Sequence, residues 1–532
     1  MRIVYSSILI NFIFGLSLML GQENPNVELP QFVITGKETY EFPPLEKQKP
    51  EVVSTVSEQF FKPVYSPDEL EVKEFSEPSR RSGEFLDSIN FVNGGAEFLI
   101  GNNILPSLTL RYRIPIERSI LSANVHAMNQ RAYLPNSDRN KYGAELHYNT
   151  IISDSSSFLP FSKFHASALA ENESYKLFAS PIPDFNRKIF RGNFAASLQN
   201  ISSAKLNYDL TFEDNYLNMK SDSVNENIFK VNGYTKYTAK LFEVSLFGKY
   251  HALTSTYDPL SPEKYAFIQA KGIFGFPIGN SVKTNFGFEF SKLDSNKTIS
   301  PYIAAAIQFR KGFSLFAEYH PTSSMITQQD LIYSNRYYSP DAKIKNIFYR
   351  VKSQYAFNFK YEYERAFEVI CGFSLFSASG YPYFNIVSPN VNNFVVDIIE
   401  ARGTTAFARI NLYSGKYGFF VGDVLFQNVQ DTSGNLVPNV TPINAEVTYG
   451  YCITPEISFS ASMMYYSPAF LNFANTKKGR DYVNLTFKGE MNISEKMFAQ
   501  LELRNILNSK NEIWKNYQEL PLSISAGLKI IW

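Results

Sequence analysis

The sequence predicts an all-β protein, a transmembrane antiparallel β-barrel of roughly 22 strands (18–22), with a periplasmic tail at its N-terminus. Three observations predict it. Apolar and polar residues alternate strictly over many segments after residue 85. Long and short connections alternate between those segments, and the last segment ends on an aromatic, Trp532. Composition agrees, because 47 Phe and 34 Tyr against 2 Trp suit half-buried strands joined by polar turns.

The alternation is clearest at the end of the chain. Leu522, Ile524, Ala526, Leu528, Ile530 and Trp532 fall on one face, and Ser523, Ser525, Gly527 and Lys529 on the other. Far upstream, Leu206, Tyr208, Leu210 and Phe212 oppose Asn207, Asp209, Thr211 and Glu213. A longer segment sets Val351, Tyr355, Phe357, Phe359, Tyr361 and Tyr363 against Arg350, Lys352, Gln354, Asn358, Lys360 and Glu362. Side chains alternate across a strand, so each segment is a two-faced ribbon. In a soluble sandwich the apolar face would be core; in a membrane barrel it meets lipid and the polar face lines a wet lumen.

Connection length chooses between the two. Residues 509–520, 467–481, 428–442, 377–404 and 321–346 read as long, and 492–496, 453–456, 414–418, 364–366 and 311–312 as short. Short periplasmic turns and long external loops are the rhythm of membrane barrels, and a Greek-key sandwich has no cause to reproduce it. An even strand count leaves both chain ends periplasmic.

Two segments precede the barrel of residues 85–532. Residues 1–21 read as a secretory signal peptide, with Arg2 as the positive region, an apolar run over 8–20 and Gly21 before Gln22-Glu23-Asn24. That run is too short to span a bilayer, and no later run reaches the roughly 18–20 apolar residues a helix needs. Residues 22–84 hold 8 of the 27 prolines and 13 acidic against 7 basic residues without apolar period, so a disordered periplasmic tail is expected. Export with no spanning helix, together with the barrel pattern, predicts the cell outer membrane of a Gram-negative-type bacterium.

Phe32-Val33-Ile34-Thr35-Gly36 resembles the TonB box of TonB-dependent outer-membrane receptors, where a short extended segment adds to a sheet edge of TonB. Leu503-Arg504-Asn505-Ile506-Leu507-Asn508, then Trp514, Tyr517 and the last strand, is similar to that family's C-terminus. Leu520-Pro521 replaces the family's usual Gly-Arg. The terminal row Leu528, Ile530 and Trp532 resembles the signal read by the barrel-assembly machinery. The resemblance implies uptake or binding of a solute across the outer membrane. It also implies a plug domain, yet only about fifty residues (37–84) lie between Gly36 and the barrel. A separate plug or lipoprotein partner, a passive porin, or a non-transporting scaffold anchoring a periplasmic or surface complex are the alternatives.

Enzyme chemistry is not expected, nor is a cofactor. No nucleophile, metal or phosphate motif occurs, so catalytic and metal residues are none. His126, His147, His165, His251 and His320 are dispersed, and His147 reads as a solvated lumen residue. Once the signal peptide is removed, 50 basic residues balance 50 acidic ones, so nothing in the charge points to a nucleic-acid partner and none is expected. Cys371 and Cys452 read as unpaired thiols. Tyr337, Tyr338, Tyr381, Tyr383, Tyr465 and Tyr466 read as an interfacial aromatic girdle in contact with outer-membrane lipid.

Overall fold

A computed structural model describes residues 93–532 apart from 153–161, 201–204, 257–261, 280, 311, 341–345, 364–365, 389–390 and 414–417. Contacts divide the chain into Met1–Tyr65 and Ser66–Trp532, and the second unit holds every described strand. The signal peptide, the tail up to residue 84 and the segment Phe32 to Gly36 lie outside the described residues.

The strands begin with β1 (Gly94–Gly101), β2 (Ile104–Ile116), β3 (Ser119–Gln130), β4 (Arg139–Ile152), β5 (Ser162–Lys176) and β6 (Asn186–Asn200). β7 (Leu206–Met219), β8 (Val224–Thr238), β9 (Glu243–Thr256), β10 (Glu263–Ile278), β11 (Val282–Leu293) and β12 (Asn296–Arg310) follow. β13 (Phe313–Tyr319) and β14 (Thr322–Ile326) both pair with β15 (Ile347–Tyr363), and helix α1 (Gln328–Ser334) lies between β14 and β15. Next are β16 (Phe367–Ser388), β17 (Val391–Tyr413), β18 (Phe419–Asp431), β19 (Ile443–Thr454), β20 (Ile457–Tyr466), β21 (Tyr482–Ser494) and β22 (Met497–Arg504). A small hairpin of β23 (Glu512–Trp514) and β24 (Tyr517–Gln518) precedes β25 (Ser523–Ile531).

Around the ring neighbouring strands pair antiparallel, β13 and β14 both on β15 and β22 on β25, and β25 returns to β1 from Gly95↔Ile531 to Gly101↔Ser525. β13 and β14 form one interrupted strand and the small hairpin stands apart, so 22 strands close the barrel. Closure leaves no edge with unpaired backbone groups, the condition for placing strands in lipid. Among the described residues no helix is long and apolar enough to cross a membrane.

The alternation read from the sequence is the barrel's inside and outside. Ile524, Leu528, Ile530 and Trp532 are 42–46% exposed, whereas Ser523 and Ser525 are buried at 1–2%. Leu206, Leu210 and Phe212 are likewise exposed, as are Tyr355, Phe357 and Tyr363. Val351 departs from its row. A register shift between Val351 and Ser353 takes it into an apolar cluster with Phe376, Ala378 and Tyr383. Outward apolar rows around a closed sheet are the surface a bilayer requires.

The connections fall at two ends. Short turns join β2 to β3, β10 to β11 and β19 to β20 at the end where Gly94 N donates to Trp532 O (2.9 Å). Most of the long connections gather at the opposite, outer end. Residues 377–404 correct the sequence reading: most of them extend β16 and β17 into a tall hairpin rather than a loop. Three connections at the outer end, 102–103, 220–223 and 294–295, are also short.

Candidate functional site

The segment between β14 and β15 does not stand in solvent. It folds into the mouth of the barrel, starting with a local signal. Thr327 N donates to Asp330 Oδ2 (2.8 Å) and Asp330 N to Thr327 Oγ1 (3.4 Å), a capping box that opens α1. Two further donors of the helix start, Gln328 N and Gln329 N, reach Glu226 Oε2 and Oε1 on β8, both at 3.0 Å. β8 lies five strands before β13 in the ring, so α1 reaches across the lumen.

Leu331 and Ile332 then join Leu217, Met219 and Val224, from β7 and β8, in one buried cluster. Tyr337 and Tyr338, 4% and 0% exposed, complete it against Tyr175, Ile189, Phe394 and Tyr517. The cluster brings together β5 to β8, the inward segment, β17 and the β23–β24 hairpin. Tyr337 stacks on Tyr517 with centroids 3.6 Å apart and planes 18° from parallel.

Arg187, at the outer end of β6, fastens this segment. Its Nε and Nη2 donate to Asp222 Oδ2 and Oδ1 at 2.9 and 2.6 Å. Its Nη1 donates to the carbonyl oxygens of Arg336 (2.9 Å) and Tyr338 (2.8 Å). The Tyr175 hydroxyl donates to the Arg336 carbonyl as well. Arg187 is 1% exposed, so one buried guanidinium makes four hydrogen bonds, two to the segment and two to its own counter-ion.

Arg336 carries the fastening outward. It meets Glu519 at 3.3 Å and lies over the Tyr337 ring at 4.9 Å. Burial opposes its charge, but Tyr337 and Glu519 hold its proton more tightly than usual. Burial also pushes the Tyr337 hydroxyl up to about 12, so the ring stays neutral at any physiological pH. The Tyr133 hydroxyl donates to Gln518 O, tying the β3–β4 connection to the same hairpin.

Beneath the mouth the lumen wall is charged and self-paired. Glu173 meets Arg139 and Arg191 at 2.8 Å each, and Glu171 meets Lys141 at 2.8 Å. On the facing wall Glu289 takes hydrogen bonds from Gln269 and Thr322, both 2.8 Å, and lies 3.1 Å from His320. His147 faces the lumen beside Glu145 (3.0 Å), where the sequence put it. No group of three or more His, Cys, Asp or Glu suited to a metal occurs among the described residues.

Leu528, Ile530 and Trp532 lie on the outward face at the closing seam. A Cβ on Gly94 would lie 2.6 Å from the Trp532 indole, so that glycine leaves room for the terminal ring. Neither Cys371 nor Cys452 is in a disulfide. The girdle reading of the tyrosines is overturned for four of the six. Tyr337 and Tyr338 lie in the mouth; Tyr381 packs on Tyr349, and Tyr383 packs on Phe473 and donates to Asp397 at 3.1 Å. Sequence reading also missed Arg187, Asp222 and Glu226, though Thr327-Gln328-Gln329-Asp330 carries a helix-start signal.

No protein-family model and no curated protein matches this chain in sequence. In fold it is similar to the siderophore receptor PirA from Acinetobacter baumannii, at a TM-score of 0.62 and 9% identity. That alignment covers 84% of this chain and 81% of that one. The iron transporter FrpB from Neisseria meningitidis superposes at 0.63, with 10% identity over 84% of this chain and 82% of its own. The copper transporter OprC gives 0.60 and 9%, covering 83% and 80%. The chain has the fold of an outer-membrane receptor barrel. At such identities the likeness is one of architecture, and the inward segment of this receptor-like barrel stands on its own residues.

Proposed function

We propose that the protein is a gated outer-membrane receptor that takes up a solute through its lumen. Residues 327–340 form the gate. One observation carries this reading: Arg187, almost fully buried, spends two of its hydrogen bonds on backbone carbonyls of that segment. A permanent plug needs no such fastening at one point, and a passive pore would not span its own mouth. Similarity of fold to siderophore, iron and copper receptors and transporters supports uptake as the general activity. Phe32 to Gly36 would then serve as the segment that pairs with TonB, by strand addition.

The test is conductance of the purified full-length barrel in planar bilayers. Wild type should be silent, and a variant with residues 328–338 replaced by a Gly-Ser linker should carry a steady current. Steady current through wild type would make the protein a passive pore. Silence from the trimmed variant, with the barrel still heat-modifiable on gels, would remove the gate and favour a non-transporting scaffold.

A further inference from the structure

A second feature of the outer end lies outside the gate. Residues 467–481, between β20 and β21, enclose a cavity of about 240 Å³ together with the β23–β24 hairpin. Three cations line it: Lys478, Arg480 and Lys515. Among the described residues none of the three has an ion-pair partner, and Lys478 rests over the Phe470 ring at 4.7 Å. The single acid in the lining is Glu512, whose Oε2 accepts from Asn516 N at 2.9 Å; Asp481 does not line it. Three positive charges against one negative leave the cavity with two in excess.

Three aromatic residues share the wall. Tyr466 and Tyr482 stand 4.9 Å apart at 37°, and Trp514 lines it as well, backed by Phe384 and Phe394 at 5.1 Å each. Ser467, Thr441 and Asn516 add hydroxyl and amide groups. The volume is below the roughly 300–1,000 Å³ of sites for drug-sized ligands, which limits the occupant to one or two small rings. Ring faces take the apolar faces of a sugar, amides and hydroxyls take its hydroxyl groups, and surplus cations take an anionic substituent.

We propose that this cavity binds an acidic sugar, a one- or two-ring saccharide carrying phosphate or carboxylate. The proposal rests on the receptor reading only in taking this end of the barrel as the one that meets solutes. The site recognises the same chemistry in a free sugar and in the phosphorylated sugar headgroup of a glycolipid.

The chain's own tryptophans supply the assay. Of the two, Trp514 lines the cavity and Trp532 faces outward at the seam, so ligand-dependent fluorescence change reports Trp514. Purified full-length protein is titrated with glucose 6-phosphate and with digalacturonate, with glucose as the neutral control. A parallel arm uses vesicles carrying a glycolipid with a phosphorylated glucosamine headgroup. Saturable binding of an acidic probe in either arm, at least about tenfold tighter than glucose, is expected. The double substitution Arg480→Ala with Lys515→Ala should weaken it by about tenfold or more, and Glu512→Gln should tighten it. These loop side chains lie outside the barrel ladder, and heat-modifiable migration checks folding. Trp514→Phe should abolish the optical signal while calorimetry still detects binding.

No saturable binding in either arm, equal affinity for glucose, or binding unchanged in the double variant would each overturn the proposal. Those results would leave the conductance test of the gate unaffected, so failure here and failure of the gate are separate events.

Discussion

Arg187→Ala tests the gate at its strongest point. The substitution removes four hydrogen bonds at once, two to Asp222 and two to the carbonyls of Arg336 and Tyr338. It also leaves the Asp222 carboxylate, with a side chain only 10% exposed, without its cation. Breaking a buried ion pair from one side costs about 3–5 kcal/mol. Moving the segment out lets water reach both Asp222 and the two carbonyls, so most of that cost falls on the closed state alone. At 1.4 kcal/mol per factor of ten, the open-to-closed ratio rises between about a hundred and a few thousand fold. Planar-bilayer recording reads this directly: brief openings absent from wild type should appear in the variant. Arg187→Lys keeps one charge but loses the planar fork, so it should fall between the two. A variant that assembles, migrates with normal heat modifiability and stays as silent as wild type would refute the argument that Arg187 holds the segment in place.

The remaining expectations touch other parts of the chain. Glu226→Ala removes the acceptor for two backbone donors of α1 and should raise opening more modestly than Arg187→Ala, by about tenfold, in the same recordings. Deleting Trp532, or Trp532→Asp, should reduce the barrel recovered in the outer membrane, because the ring ends the outward row at the seam; normal recovery of both would make the terminal aromatic incidental. Ile34→Pro should leave the barrel assembled yet abolish crosslinking of a Cys placed near Thr35 to TonB, since proline removes a donor and fixes φ. A wild-type tail that never crosslinks, in cells where other clients do, would reject energised transport.

The barrel was legible in the sequence because its physics has period two. Ile524, Leu528 and Ile530 turn outward and Ser523 and Ser525 inward, as alternation requires, and the even count places both ends of β1–β25 together. Legibility failed wherever that period is broken. Residues 377–404 read as a loop because a register shift between Ala378 and Tyr381, with Gly380 at φ +71°, interrupts parity inside one long hairpin. The gate was hidden for a different reason. Arg187 begins a strand and Asp222 ends a turn 35 residues later, and nothing local says that one clamps the other. Tyr337 and Tyr338 looked like interfacial aromatics because a loop has no period to reveal which way its rings face. The Thr327–Asp330 capping box is the one local signal in this segment, and the sequence reading passed over it.

The cavity and the gate share one structural element, and that constrains how the protein could work. Trp514 lines the cavity, and three residues later Tyr517 stacks on Tyr337 of the gate. Both belong to the β23–β24 hairpin, which Tyr133 and Glu519 tie to its surroundings. A solute that pulls on the Trp514 end can favour opening only if it binds the open arrangement more tightly than the closed one. Linkage then runs both ways. If ligand raises opening by some factor, the shift from the closed to the open form must raise ligand affinity by that same factor. Arg187→Ala populates the open form without touching the cavity, so acidic sugar should bind it more tightly than wild type. Unchanged affinity in an open variant would mean that the hairpin is a common wall and not a connection between cavity and gate.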